Sequence, residues 1–281
     1  MAIKDILLHL DASVRAEVRM RLAVDLAARH EAHLTAVYVL DLPPPDMFAG
    51  YPTVFVELAR SEDVVERMRT VRVAEAETLQ AQFSGMLERA GVKGGFRIVE
   101  GEPAESVALH GRYADLIVVG QPEPGRSAGA IDPGELMAAG RPLLVVPFAG
   151  NFEVMGKTVL VGWNATPEAA RAVNDAIPLL RMAERVVVLS INPKLGIGGD
   201  GDVPAADMAL HLARHGIHAE AAHTVAADIG EGDALLSYAA DISADLLVTG
   251  MYGHSRLREF TFGGVTRSLI TEMTLPTFMV H

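Results

Sequence analysis

The sequence predicts an α/β protein made of two repeated, doubly wound parallel-sheet domains. Three observations predict it. First, the 281-residue chain repeats itself: residues 4–13 read KDILLHLDAS and residues 157–166 read KTVLVGWNAT. The likeness returns near the end of each half, as ADLIVVG at 114–120 and ADLLVTG at 244–250. Each half then closes on a proline and a short apolar run, RPLLVVP at 141–147 and LPTFMVH at 275–281. The period is far longer than that of a solenoid, so the repeated unit is a domain. Second, the candidate strands are near-continuous apolar runs, the pattern of strands buried on both faces of a parallel sheet. Third, those runs alternate with helix-period segments, the order of βα units.

In the first half the strands are expected at Ile3–Leu10, His33–Leu40, Phe96–Gly101, Asp115–Gly120 and Pro142–Pro147. Val14, Val18, Leu22 and Leu26 recur every four residues and predict an apolar stripe on the first helix. A long helix is expected over Ser61–Ala90, with Ser61-Glu62-Asp63 as its capped acidic start and Gly91 as its stop. Ala149–Met155 separates the halves, which sets the domains at 1–150 and 151–281. In the second half the strands fall at Thr158–Trp163, Arg185–Asn192, His218–Val225, Asp245–Gly250 and Pro276–His281. Thr166-Pro167-Glu168 is a helix start: a capping hydroxyl, a first-turn proline and an acid at the positive end. Pro178 predicts a kink or an early end in that helix, and residues 193–202 predict a mobile loop. Ligands of doubly wound sheets bind beyond the carboxyl ends of the strands, at the switch point, which here follows Leu10, Gly120, Trp163 and Gly250.

Composition narrows the function classes. Lys and Arg number 24 against 36 Asp and Glu, a formal net charge of −12, which repels a phosphate backbone and argues against nucleic acid as a partner. No apolar stretch approaches the ~18 residues of a membrane span. The opening MAIKDILLHL lacks the features of a signal peptide. Cysteine is absent, which removes disulfides and thiolate chemistry and fits a cytoplasmic location.

The segment with the most chemistry follows the strand DLLVTG. Gly250, Gly253, Gly263 and Gly264 are spaced G-x2-G-x9-G-G. Glycines at a strand end let backbone amides approach an anion, and the second pair opens a helix whose free amides suit a phosphate. His254, Arg256 and Arg258 add donors and positive charge, and Val265 and Thr266 continue the helix start. P-loop and G-x-G-x-x-G patterns are absent.

This loop, the strand order and the duplication together resemble the universal stress protein family in its tandem form, over nearly the whole chain. The resemblance implies an adenine nucleotide α-hydrolase-like fold. It also implies ATP or a related adenine nucleotide as ligand, with Mg as its companion ion. Nucleotide-binding members carry G-x2-G-x9-G-[S/T] and an aspartate after the first strand. Carried over, Gly250, Gly253 and Gly263 match the glycines. Gly264 replaces the hydroxyl residue, with Thr266 or Ser255 as substitutes, and Asn164 replaces the aspartate. The nucleotide site expected from the resemblance is thus Asn164, Gly250, Gly253, His254, Gly263, Gly264, Val265 and Thr266.

The first half keeps the aspartate, as Asp11 with Ser13, but loses the glycine spacing. Its loop after Gly120 is four residues shorter when Pro142 is aligned with Pro276, Pro122, Pro124 and Pro133 remove amides, and Glu123 and Asp132 add repulsion. Asp11 therefore reads as a helix cap in a half that is degenerate for nucleotide. Asp207, His211 and His215 lie on one helix face at ligand spacing, yet without H-E-x-x-H they read as a solvated face. Trp163 reads as core or pocket wall.

No nucleophile, base and orienting partner stand in order, so the function expected is regulatory nucleotide binding in the second half, with at most slow incidental ATP hydrolysis. Two alternatives come from other classes. One is a nucleotide-free scaffold that acts through dimerisation. Its halves would pair through Leu143–Val146 and Thr277–Val280 as a pseudo-dimer, and whole chains would form a homodimer. The other is an adenylyl-transferring or hydrolytic enzyme of related fold, for which no metal-binding acid stands out.

Overall fold

The computed structural model describes residues 2–42, 62–123, 131–152, 154–193, 204–251 and 264–281. The first half runs β1 (Asp5–Leu10), α1 (Ala16–His30), β2 (His33–Leu40), α2 (Glu62–Ala90), β3 (Gly94–Glu100), α3 (Pro103–Gly111), β4 (Leu116–Gly120), a 3-10 helix (Pro133–Ala139) and β5 (Leu143–Val146). The second runs β6 (Thr158–Gly162), α4 (Pro167–Leu180), β7 (Arg185–Ile191), α5 (Pro204–Arg214), β8 (Ala219–Thr224), α6 (Glu231–Asp241), β9 (Leu246–Gly250), α7 (Gly264–Glu272) and β10 (Thr277–Val280).

All ten strands join one sheet in the order β3-β2-β1-β4-β5-β10-β9-β6-β7-β8. Each half contributes the same order, and the second is placed as the reverse of the first. Pairing within each half is parallel. At the seam β5 and β10 pair antiparallel, with Phe278 opposite Leu144. Both seam strands are buried along their whole length.

Two apolar layers cover the sheet. One face carries Ile6, Leu8, Val159 and Val161 under α1, α2, α4 and α5. The other carries Leu7, Leu160, Val187 and Val145 under α3, α6, α7 and the 3-10 helix. Helices on both faces are what the continuous apolar strands required. In α2 the buried stripe is Ala76, Leu79, Phe83 and Leu87, and Phe83 meets Phe96 of β3 at 6.2 Å between ring centroids.

The repeated ADL motif has an architectural cause. Asp115 accepts from the Lys4 and Asp5 amides at 2.8 and 3.1 Å. Asp245 accepts from the Gly156, Lys157 and Thr158 amides at 3.0, 3.1 and 3.0 Å. In each half the aspartate before the fourth strand thus satisfies the free amides at the start of the first strand. Gly91 takes φ 65° just past α2, as expected of a helix stop.

Three expectations are corrected. Val14 lies outside α1 and is exposed; the buried positions of that helix include Ala16, Met20, Ala23 and Ala27 as well as Leu22 and Leu26. Asp132 is not an idle repulsive charge. It caps the 3-10 helix by accepting from the Gly134 amide at 2.9 Å, with Pro133 in the first turn. The helix α4 runs through Pro178 and stops two residues later, at Leu180. Ser61 and the loop 194–202 lie outside the described residues.

Because Phe278 is 1% exposed at the seam, Phe278→Ala should cost about 3–5 kcal/mol of stability. The urea midpoint should fall for the whole chain in a single transition.

Candidate functional site

At the carboxyl ends of β6 and β9, Asn164 and Gly250 stand at the switch point of the second half. The Asn164 side-chain oxygen accepts from the Thr166 hydroxyl at 2.9 Å and from the Thr166 amide at 3.3 Å. Thr166 in turn caps α4 by accepting from the Ala169 amide at 3.2 Å, as its sequence context predicts. The side-chain oxygen of Asn164 is thereby committed to a local turn on an exposed residue.

Gly250 is required by close approach. A Cβ there would stand 2.6 Å from the Ala169 nitrogen and 2.9 Å from the Glu168 Cβ. The first turn of α4 thus rests directly on the end of β9. Glu168 sits in that turn, where the helix dipole favours an acid. Its Oε2 is buried and has no hydrogen-bond partner among the described residues. An acidic residue packed against Gly250 disfavours an anion there, and only the tertiary structure brings the two residues together.

The chain after Gly250 keeps Met251 buried, its amide bonded to the Val280 carbonyl at 2.7 Å. Gly253, His254 and Gly263 lie outside the described residues. Helix α7 opens at Gly264, where the glycine pair predicts a helix start. Val265 is partly exposed and Thr266 is buried. Trp163, just past β6, is half-buried against the core. The His211 ring of α5 and the His215 ring just past its end meet at 4.8 Å between centroids, tilted by 58°. No group of three or more potential metal-binding side chains gathers among the described residues.

The equivalent corner of the first half is built differently. Asp11 repeats the Asn164 turn, its Oδ1 accepting from the Ser13 amide at 3.1 Å and from the Ser13 hydroxyl at 2.5 Å. It caps no helix: the residue before α1 is Arg15, and no side chain caps it. Instead Asp11 forms an ion pair with Arg19, whose side chain is 3% exposed. Burial alone would push the Asp11 carboxyl up, but Arg19 and the Ser13 hydroxyl together hold it below its ordinary value. His9, buried on β1, is pushed down from 6.5 to about 4 by burial first and by the Arg19 charge second, against a smaller upward pull from Asp11. Nothing in the spacing of α1 marks Arg19 as buried; its helical periodicity would fit an exposed cation as well.

Gln121 ties the halves together. Its Nε2 donates to the carbonyls of Ile270 and Thr271 at 2.8 and 3.0 Å, and its Oε1 accepts from the Phe148 amide at 3.1 Å. Carbonyls at the end of α7 that lack helical partners are thus satisfied by a residue of the first half.

The depressed His9 value predicts a pH dependence. Between pH 6.5 and about 4 the unfolded imidazole binds a proton that the folded one refuses. Stability is therefore full above pH 6.5 and declines as the pH falls, by about 3 kcal/mol near pH 4. The lowered Asp11 carboxyl adds a loss of the same sign only below its ordinary value of 3.8. Urea midpoints taken across this range should show that His9→Gln removes most of the slope between pH 6.5 and 4. An unchanged slope would refute the assignment.

The comparisons with known proteins agree on the fold. A universal stress protein from Archaeoglobus fulgidus superposes with a TM-score of 0.75 at 16% identity, covering 98% of this chain and 96% of that one. A protein of unknown function from Pseudomonas aeruginosa gives a TM-score of 0.57 at 12% identity, covering 99% and 92%. A universal stress protein family member from Burkholderia pseudomallei is 32% identical, covering 51% of this chain and 96% of its own, with a TM-score of 0.32. Curated proteins give no match. The sequence model of the universal stress protein family matches residues 155–281. With its duplicated halves merged into one sheet of that architecture, the chain belongs to the universal stress protein family.

Proposed function

We propose that the second domain, residues 151–281, binds ATP or a related adenine nucleotide, and that the protein acts as a regulator rather than as a catalyst. The first domain, residues 1–150, contributes the other half of the sheet and no nucleotide site. The observation that carries this reading is the contrast between the two switch points. Where the first half places Arg19, the repeat places Ala172, so the helix over β6 sends no guanidinium from that position into the corner beside Gly250. Asn164 and Gly250 would meet the ligand from the β6 and β9 ends. Gly264, Val265 and Thr266 open α7 toward it, with Gly253, His254 and Gly263 completing the loop between. Free amides at the start of α7 suit phosphate oxygens. Mg would accompany a triphosphate and counter the charge of its phosphates.

A second reading, a nucleotide-free scaffold, is favoured by Glu168, an acid packed through its Cβ against Gly250 with a buried Oε2 that has no hydrogen-bond partner among the described residues. In either case β5 and β10 are consumed by the internal pseudo-dimer seam. A homodimer would therefore have to use other surfaces, such as the outer strands β3 and β8. Among the described residues no helix is long and apolar enough to cross a membrane. A cytoplasmic location and an aversion to nucleic acid follow from the absence of cysteine and the acidic surface.

Calorimetric titration of the stripped protein with ATP and Mg should give one binding event per chain. Gly253→Glu should abolish it. Glu168→Gln should tighten it by about fivefold, the effect of removing roughly 1 kcal/mol of repulsion. Absence of heat in the stripped wild-type chain would select the scaffold.

A further inference from the structure

The first-half switch point combines a charge, a carboxylate and a glycine in one small space. The cleft is lined by His9, Asp11, Ser13, Arg19, Gly120 and Glu123 among others, and leaves a volume of about 30 Å³. That is room for about one or two waters. A neighbouring pocket of about 10 Å³ shares His9 and Asp11 with it. What takes up the corner is the Arg19 side chain, almost fully buried. One nitrogen of its fork contacts Asp11 and another lies 3.2 Å from the Ser13 hydroxyl. A Cβ on Gly120 would stand 2.5 Å from Nη1, so the bare strand end makes room for the fork. The third nitrogen, Nε, is buried with no acceptor among the described residues.

A permanently charged group buried to this degree needs a counter-charge and directed acceptors. Asp11 and Ser13 supply both, and Asp11 is already oriented by the Ser13 amide. In the repeat, Ala172 stands opposite Arg19 and Asn164 opposite Asp11, so this cation and its carboxylate partner are replaced together.

We propose that the cleft at the ends of β1 and β4 is a guanidinium-binding site, permanently filled by the protein's own Arg19. The first half is thereby held in a ligand-filled shape without a ligand, and it admits no anion. Emptied of Arg19, the cleft takes a small external guanidinium with Asp11 as its anchor. This holds whether or not the second half binds nucleotide.

Thermal unfolding with added methylguanidinium tests it. Arg19→Ala should lower Tm by about 6–12 °C, as removal of one partner from a buried ion pair does. Methylguanidinium at roughly 20 mM should recover about half of that loss by binding only the folded state. It should leave the wild-type chain and an Asp11→Ala/Arg19→Ala double variant unshifted, and tetramethylammonium should rescue none of the three. A folded Arg19→Ala chain that methylguanidinium does not stabilise beyond the double variant overturns the proposal. If Arg19→Ala does not fold, Arg19→Met keeps the volume without the charge. An Arg19→Met chain as stable as wild type also overturns it, since the side chain would then only fill space. Nitrogen-15 NMR of the wild-type chain needs no variant. It should show a slowly exchanging Arg19 guanidinium with distinct Nη signals, and a fast-exchanging, averaged signal contradicts the site.

Discussion

The antiparallel pairing of β5 with β10 is the interaction on which the rest of the architecture depends. Each is a four-residue apolar strand at the end of a half-sheet. Left alone, each would expose a row of unpaired backbone groups and apolar side chains, an invitation to aggregate. Pairing them merges two five-stranded sheets into one of ten and moves both liabilities into the centre. It also sets β4 and β9 on either side of the seam running in opposite directions, so the two switch points lie at opposite edges of the sheet. Gln121 bonds to the end of α7 across this arrangement, and through it the cleft of the first half touches the helix that opens at the glycine loop of the second.

Within that common frame the two corners carry different charges at equivalent positions. The turn after the first strand is conserved between the copies in geometry: Asp11 with Ser13, Asn164 with Thr166, the same pair of hydrogen bonds to a side-chain oxygen. What differs is the charge around it. The first copy buries a cation against its aspartate and rests that cation on Gly120. The second copy has no counterpart of either at the matching positions, and it rests the backbone and the Glu168 Cβ of α4 on Gly250. A duplicated scaffold can diverge in this way because a single side chain on the first turns of α1 or α4 decides what occupies the corner, while the strands beneath are fixed by packing on both faces.

Much of the fold was legible in the chain. Strands buried on both faces must be apolar throughout, so their limits stand out: His33–Leu40 is reproduced to the residue, and Arg185–Ile191 and Leu246–Gly250 to within one. The Thr166 cap was legible because a hydroxyl, a proline and an acid in order have one common use. The duplicated ADL motif was visible as a repeat, but its purpose, three backbone amides held by Asp245 at the opposite element, was not.

The amino-acid sequence by itself determined the class of fold, the duplication and which half keeps the glycine spacing, because those are set by periodicity and by backbone chemistry that local residues control. The tertiary structure alone decided where charges lie. Arg19 was one basic residue of a helix until packing drove it against Asp11 and over Gly120. Glu168 was a helix-start acid until α4 came to rest on the end of β9. Asp11 was a cap by its context and became a counter-ion by its neighbours. Burial and charge pairing join residues distant along the chain or hidden on a helix face, and no local pattern records them.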